Sequence, residues 1–174
     1  DPEASMSYYR EHGYPTEAVI ESLMTIINSN YEEWRKANGD APQDSFPFNL
    51  KKMSSSGALV DLVKFNDVSK NVISRMDGET VAKRVTEWAE KYQPDFYEKL
   101  SKDKNFTVGI FSIDRGGPKP RKDLACWKDA IDYTEYFFEA PNSYELPENI
   151  TPADFALVLR EYAKAYNPDA DKDG

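Results

Sequence analysis

The chain has 174 residues, 40% apolar and 13% aromatic, which suits one domain or two small ones with a real core and excludes a disordered chain. Its charge is high, at 30% of residues with a formal net of −9. A uniformly acidic surface repels nucleic acid and anionic membrane, so an RNA-facing role has to rest on a local patch where the sign reverses.

One cysteine, Cys126, excludes a disulfide framework and a thiolate metal site and fits a reducing cytosol. One histidine, His12, excludes a His-rich metal or catalytic cluster and reads as a helix-terminal cation beside Gly13. No apolar run approaches the roughly 20 residues of a membrane span, and no signal peptide opens the sequence. It begins Asp1-Pro2-Glu3, without an initiator Met, as an excised piece would.

Residues 2–12 read as a short helix, with Asp1 as N-cap, Pro2 in the first position and Gly13 as the stop. A second helix starts at Pro15-Thr16-Glu17, where Ala18, Val19, Leu23, Met24, Ile26 and Ile27 recur at helical spacing. Residues 31–37 either continue it or form a separate turn of helix before the break at Asn38-Gly39-Asp40-Ala41-Pro42. Residues 78–92 form an amphipathic helix burying Val81, Val85, Trp88 and Ala89, and Pro94 opens a shorter one through Leu100. Residues 105–113 alternate like a strand at Phe106, Val108 and Ile110 but also fit a helix, and the helical neighbours favour helix. Residues 114–123 form a Gly/Pro loop.

Residues 124–138 read as one helix with Leu124, Trp127, Ile131, Tyr136, Phe137 and Phe138 as its apolar set. Thr151-Pro152-Ala153-Asp154 is a capped helix start, and Asn167-Pro168 stops that helix. The tail Asp169-Ala170-Asp171-Lys172-Asp173-Gly174 matches only the opening of a calcium loop, without the acidic twelfth position, so no metal site is expected. The chain is therefore expected to be all-α. A composition change near Met76-Asp77-Gly78 divides it into regions 1–76 and 77–174.

Lys52-Met53-Ser54-Ser55-Ser56 resembles the K-M-S-K-S loop with which class I aminoacyl-tRNA synthetases hold ATP phosphates. Ser55 stands where that chemistry needs its second lysine, and no H-I-G-H-type element or nucleotide-binding βαβ pattern precedes it, so no catalytic residue is assigned. A longer pattern covers the same residues. Phe48, Leu50, Ser54, Ser56, Ala58, Asp61 and Lys64 fill F-x-L-x-x-x-S-x-S-x-A-x-x-D-x-x-K, which resembles the region after the catalytic domain of glutamyl-tRNA synthetases. The sequence departs from that family at 66–69, where a Trp-Leu-Asn-like block is usual. Upstream, Tyr8 to Pro15 with Glu17-Ala18-Val19-Ile20 and Leu23-Met24 is similar to the family's segment following its true loop. Downstream, Tyr136-Phe137-Phe138-Glu139-Ala140-Pro141 is similar to a run near the start of its anticodon-binding helices.

The resemblance implies stem-contact helices (1–76) followed by the first part of a helical anticodon-binding region (77–174). It implies a non-catalytic, tRNA-binding fragment of a cytoplasmic glutamate–tRNA ligase that charges tRNA(Glu) for protein biosynthesis. ATP and Mg would belong to the missing catalytic domain, with no cofactor in this fragment. The expected partner is tRNA(Glu), without DNA or membrane, and the expected state is a monomer. In that role phosphates need cations, and register needs small donors. The central stretch supplies Lys51, Lys52, Ser54, Ser56, Lys64, Lys70 and Arg75, and the 115–122 loop supplies Arg115, Lys119, Arg121 and Lys122. Lys64 and Lys70 also read as solvated helix faces, and Trp34, Trp88, Trp127 and the 136–138 aromatics as core. The alternative is an acidic helical protein–protein interaction module.

Overall fold

Aspartates placed just before the apolar stripes set where helices begin. Asp61 accepts the Val63 and Lys64 N–H groups at 2.9 and 3.3 Å, Asp77 that of Thr80 at 2.7 Å, and Asp103 that of Phe106 at 3.0 Å. Each satisfies amides that a first helical turn leaves unpaired. The computed structural model describes residues 2–39, 41–53, 60–140 and 145–167. Among the described residues the chain is all-α, with no strand. The helices are α1 (Met6–His12), α2 (Thr16–Ile27), α3 (Tyr31–Ala37), α4 (Leu62–Ser74), α5 (Gly78–Tyr92), α6 (Pro94–Lys102), α7 (Lys104–Ser112), α8 (Asp129–Phe138) and α9 (Pro152–Ala165). They divide into two compact units, Asp1–Glu139 and Ala140–Gly174.

In the first unit α5 lies against α6 and α7, and α2 lies against α4. Ile73, Val81, Val85, Leu100, Phe111 and Leu124 belong to one buried cluster that also includes Trp88 and Trp127, each 6% exposed. Those two tryptophans are core, as their helical spacing suggests. The change of composition near 76 falls in the three-residue link between α4 and α5, and Ile73 and Val81 on its two sides share that cluster. Helix α1 and the link that follows it dock on α4 through aromatic edges, with Tyr9 and Tyr14 at 5.1 and 4.8 Å from the Phe65 ring. The 66–69 block, where the family pattern is broken, is used for polar connections. Asn66 accepts the Tyr14 hydroxyl at 2.8 Å, and buried Ser69 donates to the Ala125 carbonyl.

Two boundaries differ from the sequence reading, and a third, left open there, is settled. Pro2–Ala4 is a 3-10 turn, and Ser5 caps α1 by accepting the Ser7 N–H at 3.3 Å; Asp1, the expected cap, lies outside the described residues. Residues 31–37 are a separate helix. Asn28, 1% exposed, ends α2 by donating to the Asn49 carbonyl at 3.1 Å and by bridging Met53. The expected helix over 124–138 begins only at Asp129. The Asp129 carboxylate reaches back to the Ala125 and Cys126 N–H groups at 2.8 and 3.2 Å, while those of Trp127 and Lys128 go to the Gly13 and His12 carbonyls. These local and tertiary bonds satisfy the amides that a helix would have used, so residues 124–128 stay a turn, buried over 124–127. Gly13, at φ +76°, is the left-handed stop that the sequence marks. The ambiguous 105–113 segment lies in and just after α7, as its neighbours suggest.

In the second unit, Thr151 caps α9 by accepting the Asp154 N–H at 3.2 Å, and Pro152 opens the helix as expected. Within its own unit α9 leaves Leu157, Val158 and Tyr162 exposed.

Candidate nucleic-acid interface

Helix α4 carries two of its cations in register. Lys64, Val68, Asn71 and Arg75 recur at i, i+4, i+7 and i+11, which places them in one stripe. That stripe lines a cleft of about 570 Å³ whose other walls come from α2, α3 and the loop carrying Pro120 and Lys122. Three of the residues singled out in the sequence, Lys64, Arg75 and Lys122, therefore meet at one place. Arg35 and Lys36 join them from α3. With Glu21, Glu32 and Asp67 as its carboxylates, the lining holds five cations against three anions, on a chain whose net charge is −9. Such a cleft suits an anionic ligand. Among the described residues no group of His, Cys, Asp or Glu could hold a metal ion.

The two glutamates differ in what they can release. Glu21, 4% exposed, receives Arg35 at 3.0 Å and Arg75 at 2.6 Å on the same oxygen. Leaving a buried charge without its partner costs about 3–5 kcal/mol, so this junction of α2, α3 and the end of α4 is costly to open. Arg35 also donates to the Asn38 and Ala41 carbonyls at 3.1 and 2.7 Å and lies 4.8 Å above the Trp34 ring, tying down the turn after α3. Glu32 instead binds Lys36 at 3.0 Å and Lys64 at 3.1 Å, with all three side chains 47–73% exposed. The hydrogen bonds from Lys36 and then Lys64 hold its carboxyl below the usual glutamate range. Water screens these contacts, and exposed pairs of this kind contribute about 0–1 kcal/mol. They can be exchanged for other anions.

The glycine-rich loop is divided in the same way. The side chain of Arg115 is 3% exposed, donates to the Ile73 carbonyl at 3.3 Å and pairs with Asp123 at 3.5 Å. Burial pushes its guanidinium below the ordinary arginine range, with Asp123 opposing. This inward cation holds the loop to the end of α4. Arg121 pairs with Asp123 at 3.1 Å and lies 5.3 Å over the Tyr133 ring, while Lys119 and Lys122 are exposed. Thus the loop's sign reversal is partly neutralised by Asp114 and Asp123 at its two ends.

Lys51 and Lys52 are exposed on a 3-10 turn, Leu50–Lys52, that Asn49 caps, and they do not line the cleft. Lys70 is half-buried and off the α4 stripe. Ser54 and Ser56 lie outside the described residues. Of the aromatics, Trp34 stacks beneath Arg35, and Tyr136 is 61% exposed rather than part of the core. Sequence reasoning missed Glu21, Glu32, Arg35 and Lys36. The i,i+4 spacing of Glu32 and Lys36 was a readable signal, whereas Glu21 and Arg75 are 54 residues apart and carry none.

Comparison with known proteins finds the chain similar to aminoacyl-tRNA synthetases. Within that class it is a relative of the glutamate–tRNA ligases. It is 45% identical to the Clostridium perfringens (strain 13) enzyme over 179 residues, which takes in 99% of this chain and 33% of that enzyme. The glutamate–tRNA ligases of Clostridium beijerinckii and Acetivibrio thermocellus are 41% and 38% identical, over 98% and 99% of this chain. The chain spans about a third of the length of the curated relatives it matches, in their C-terminal portion. No family model and no solved structure matches it.

Proposed function

We propose that the chain is the tRNA-contacting, non-catalytic part of a cytoplasmic glutamate–tRNA ligase, an enzyme that joins glutamate to tRNA(Glu) with ATP and Mg bound elsewhere in the protein. Region 1–76 serves the tRNA stem, and region 77–174 begins the anticodon-binding helices. The chain acts as a monomer and itself holds no cofactor. The observation that carries this reading is the cationic cleft on an acidic chain, where Lys64, Arg75 and Lys122 come together from separate parts of the sequence. Each exposed cation is suited to one backbone phosphate, and Arg75, held by Glu21 through Nη2, presents its guanidinium at the cleft wall.

The test is a salt titration of tRNA(Glu) binding with Lys64→Glu and Lys122→Glu. Each substitution is expected to weaken binding and to flatten the dependence on salt by about one unit of slope per lost phosphate contact. An unchanged slope in both would remove the cleft from the interface. The exposed Leu157, Val158 and Tyr162 of α9 favour a second reading, an acidic protein-interaction module. On that reading tRNA affinity is indifferent to both substitutions.

A further inference from the structure

Glu32 stands at the cleft with Lys36 on its own helix and Lys64 across from it on α4, one carboxylate oxygen to each ammonium. Both lysines line the cleft that a phosphate would enter, from its α3 and α4 walls, and both are exposed enough to exchange partners. Glu21, by contrast, is buried and cannot be displaced without opening the α2–α3–α4 junction.

We propose that Glu32 is a guard carboxylate that occupies Lys64 and Lys36 in the free protein and must be displaced by a backbone phosphate when RNA enters, so that it sets the affinity and salt response of the cleft. This rests on the tRNA-binding reading above. The exchange makes and breaks no covalent bond. A phosphate oxygen takes the place of Oε2 at Lys64, the RNA releases its condensed cations, and the vacated Glu32 takes up a cation from solution. That uptake partly cancels the release, which makes binding both weaker and less salt-dependent than the lysines alone would allow.

The experiment compares Glu32→Gln with Glu33→Gln in the 174-residue chain, using a fluorescently labelled tRNA(Glu) transcript over a range of salt concentrations. Glu33 is also exposed on α3 but does not line the cleft, so its substitution makes the same change in net charge without freeing the two lysines. Glu32→Gln is expected to tighten binding about threefold and to steepen the salt slope by up to about one unit. Glu33→Gln is expected to leave the slope as it is, and the gain is expected to vanish when Lys64→Gln is added. A role limited to holding α3 against α4 would make Glu32→Gln bind more weakly, which would overturn the proposal. Equal effects of the two glutamine variants would overturn it as well, while leaving tRNA binding by the cleft intact. Absence of tRNA binding by the unsubstituted chain would remove the underlying reading and this inference together.

Discussion

Cys126 is 4% exposed, and burial, assisted by the neighbouring Asp129 carboxylate, pushes its thiol up to about 12. Since the thiolate is the reactive form, Cys126 is expected to resist a disulfide reagent at pH 8 in the folded chain and to react promptly in urea. A fast native reaction, followed by release of the coloured thiol, would contradict this burial. Glu21 is the other residue whose surroundings govern its behaviour. Replacing it by alanine leaves Arg35 and Arg75 facing each other at the α2–α3–α4 junction, and is expected to lower the unfolding free energy by about 3 kcal/mol. Urea melts monitored by tryptophan fluorescence measure that loss directly. At the residue scale the sequence shows that Cys126 has no cysteine to pair with, but it shows nothing of Glu21. A glutamate in an amphipathic helix looks like solvated surface until two arginines from elsewhere are placed on it.

The elements were more legible, because their signals are local. The apolar spacing of 78–92, the proline at 94 and the Thr151-Pro152 start each predict a helix that the fold contains. The one long element that sequence overextends, 124–138, loses its first turn to bonds with residues 12, 13 and 69, which lie far away in the chain. Gly13 lies at the centre of that contact. A Cβ there would lie 2.7 Å from the Trp127 Cβ, and its φ of +76° is a left-handed conformation in which a side chain is strained. Gly13→Ala is expected to cost about 2 kcal/mol, combining backbone strain with displacement of Trp127. Thermal melts measure it, and a wild-type melting temperature would show that the α1 stop does not anchor the 124–128 turn.

At the scale of the whole first unit, ion pairs across long separations tie helices that are not neighbours in sequence. Arg84 of α5 grips Glu17 of α2 with two hydrogen bonds at 3.0 and 2.8 Å, over a separation of 67 residues. Those bonds hold the Glu17 carboxyl below its ordinary range against the effect of burial. A depressed carboxylate contributes stability that is fully present above the unfolded-state value of about 4.3 and is lost as pH falls through the folded value. Glu17→Gln is therefore expected to reduce the fall in stability between about pH 5 and pH 3. The effect should stay below about 1 kcal/mol because both side chains are a third or more exposed. Denaturant melts at the two pH values check it, and parallel pH profiles for the two proteins would remove the pair from acid unfolding.

What the sequence determined by itself is the all-α class, most helix boundaries, the cap at Thr151, and the similarity to one enzyme family. Periodicity, capping and motif order act over a few residues, so they can be read without coordinates. Only the tertiary structure decided which cations act together. Lys64, Arg75 and Lys122 share a cleft, Arg115 turns inward, and Lys70 falls off the stripe. Those outcomes depend on how α2, α3, α4 and the 119–122 loop are brought side by side, and that arrangement is set by burial of the Ile73–Trp127 cluster and by carboxylates more than fifty residues from the arginines they hold.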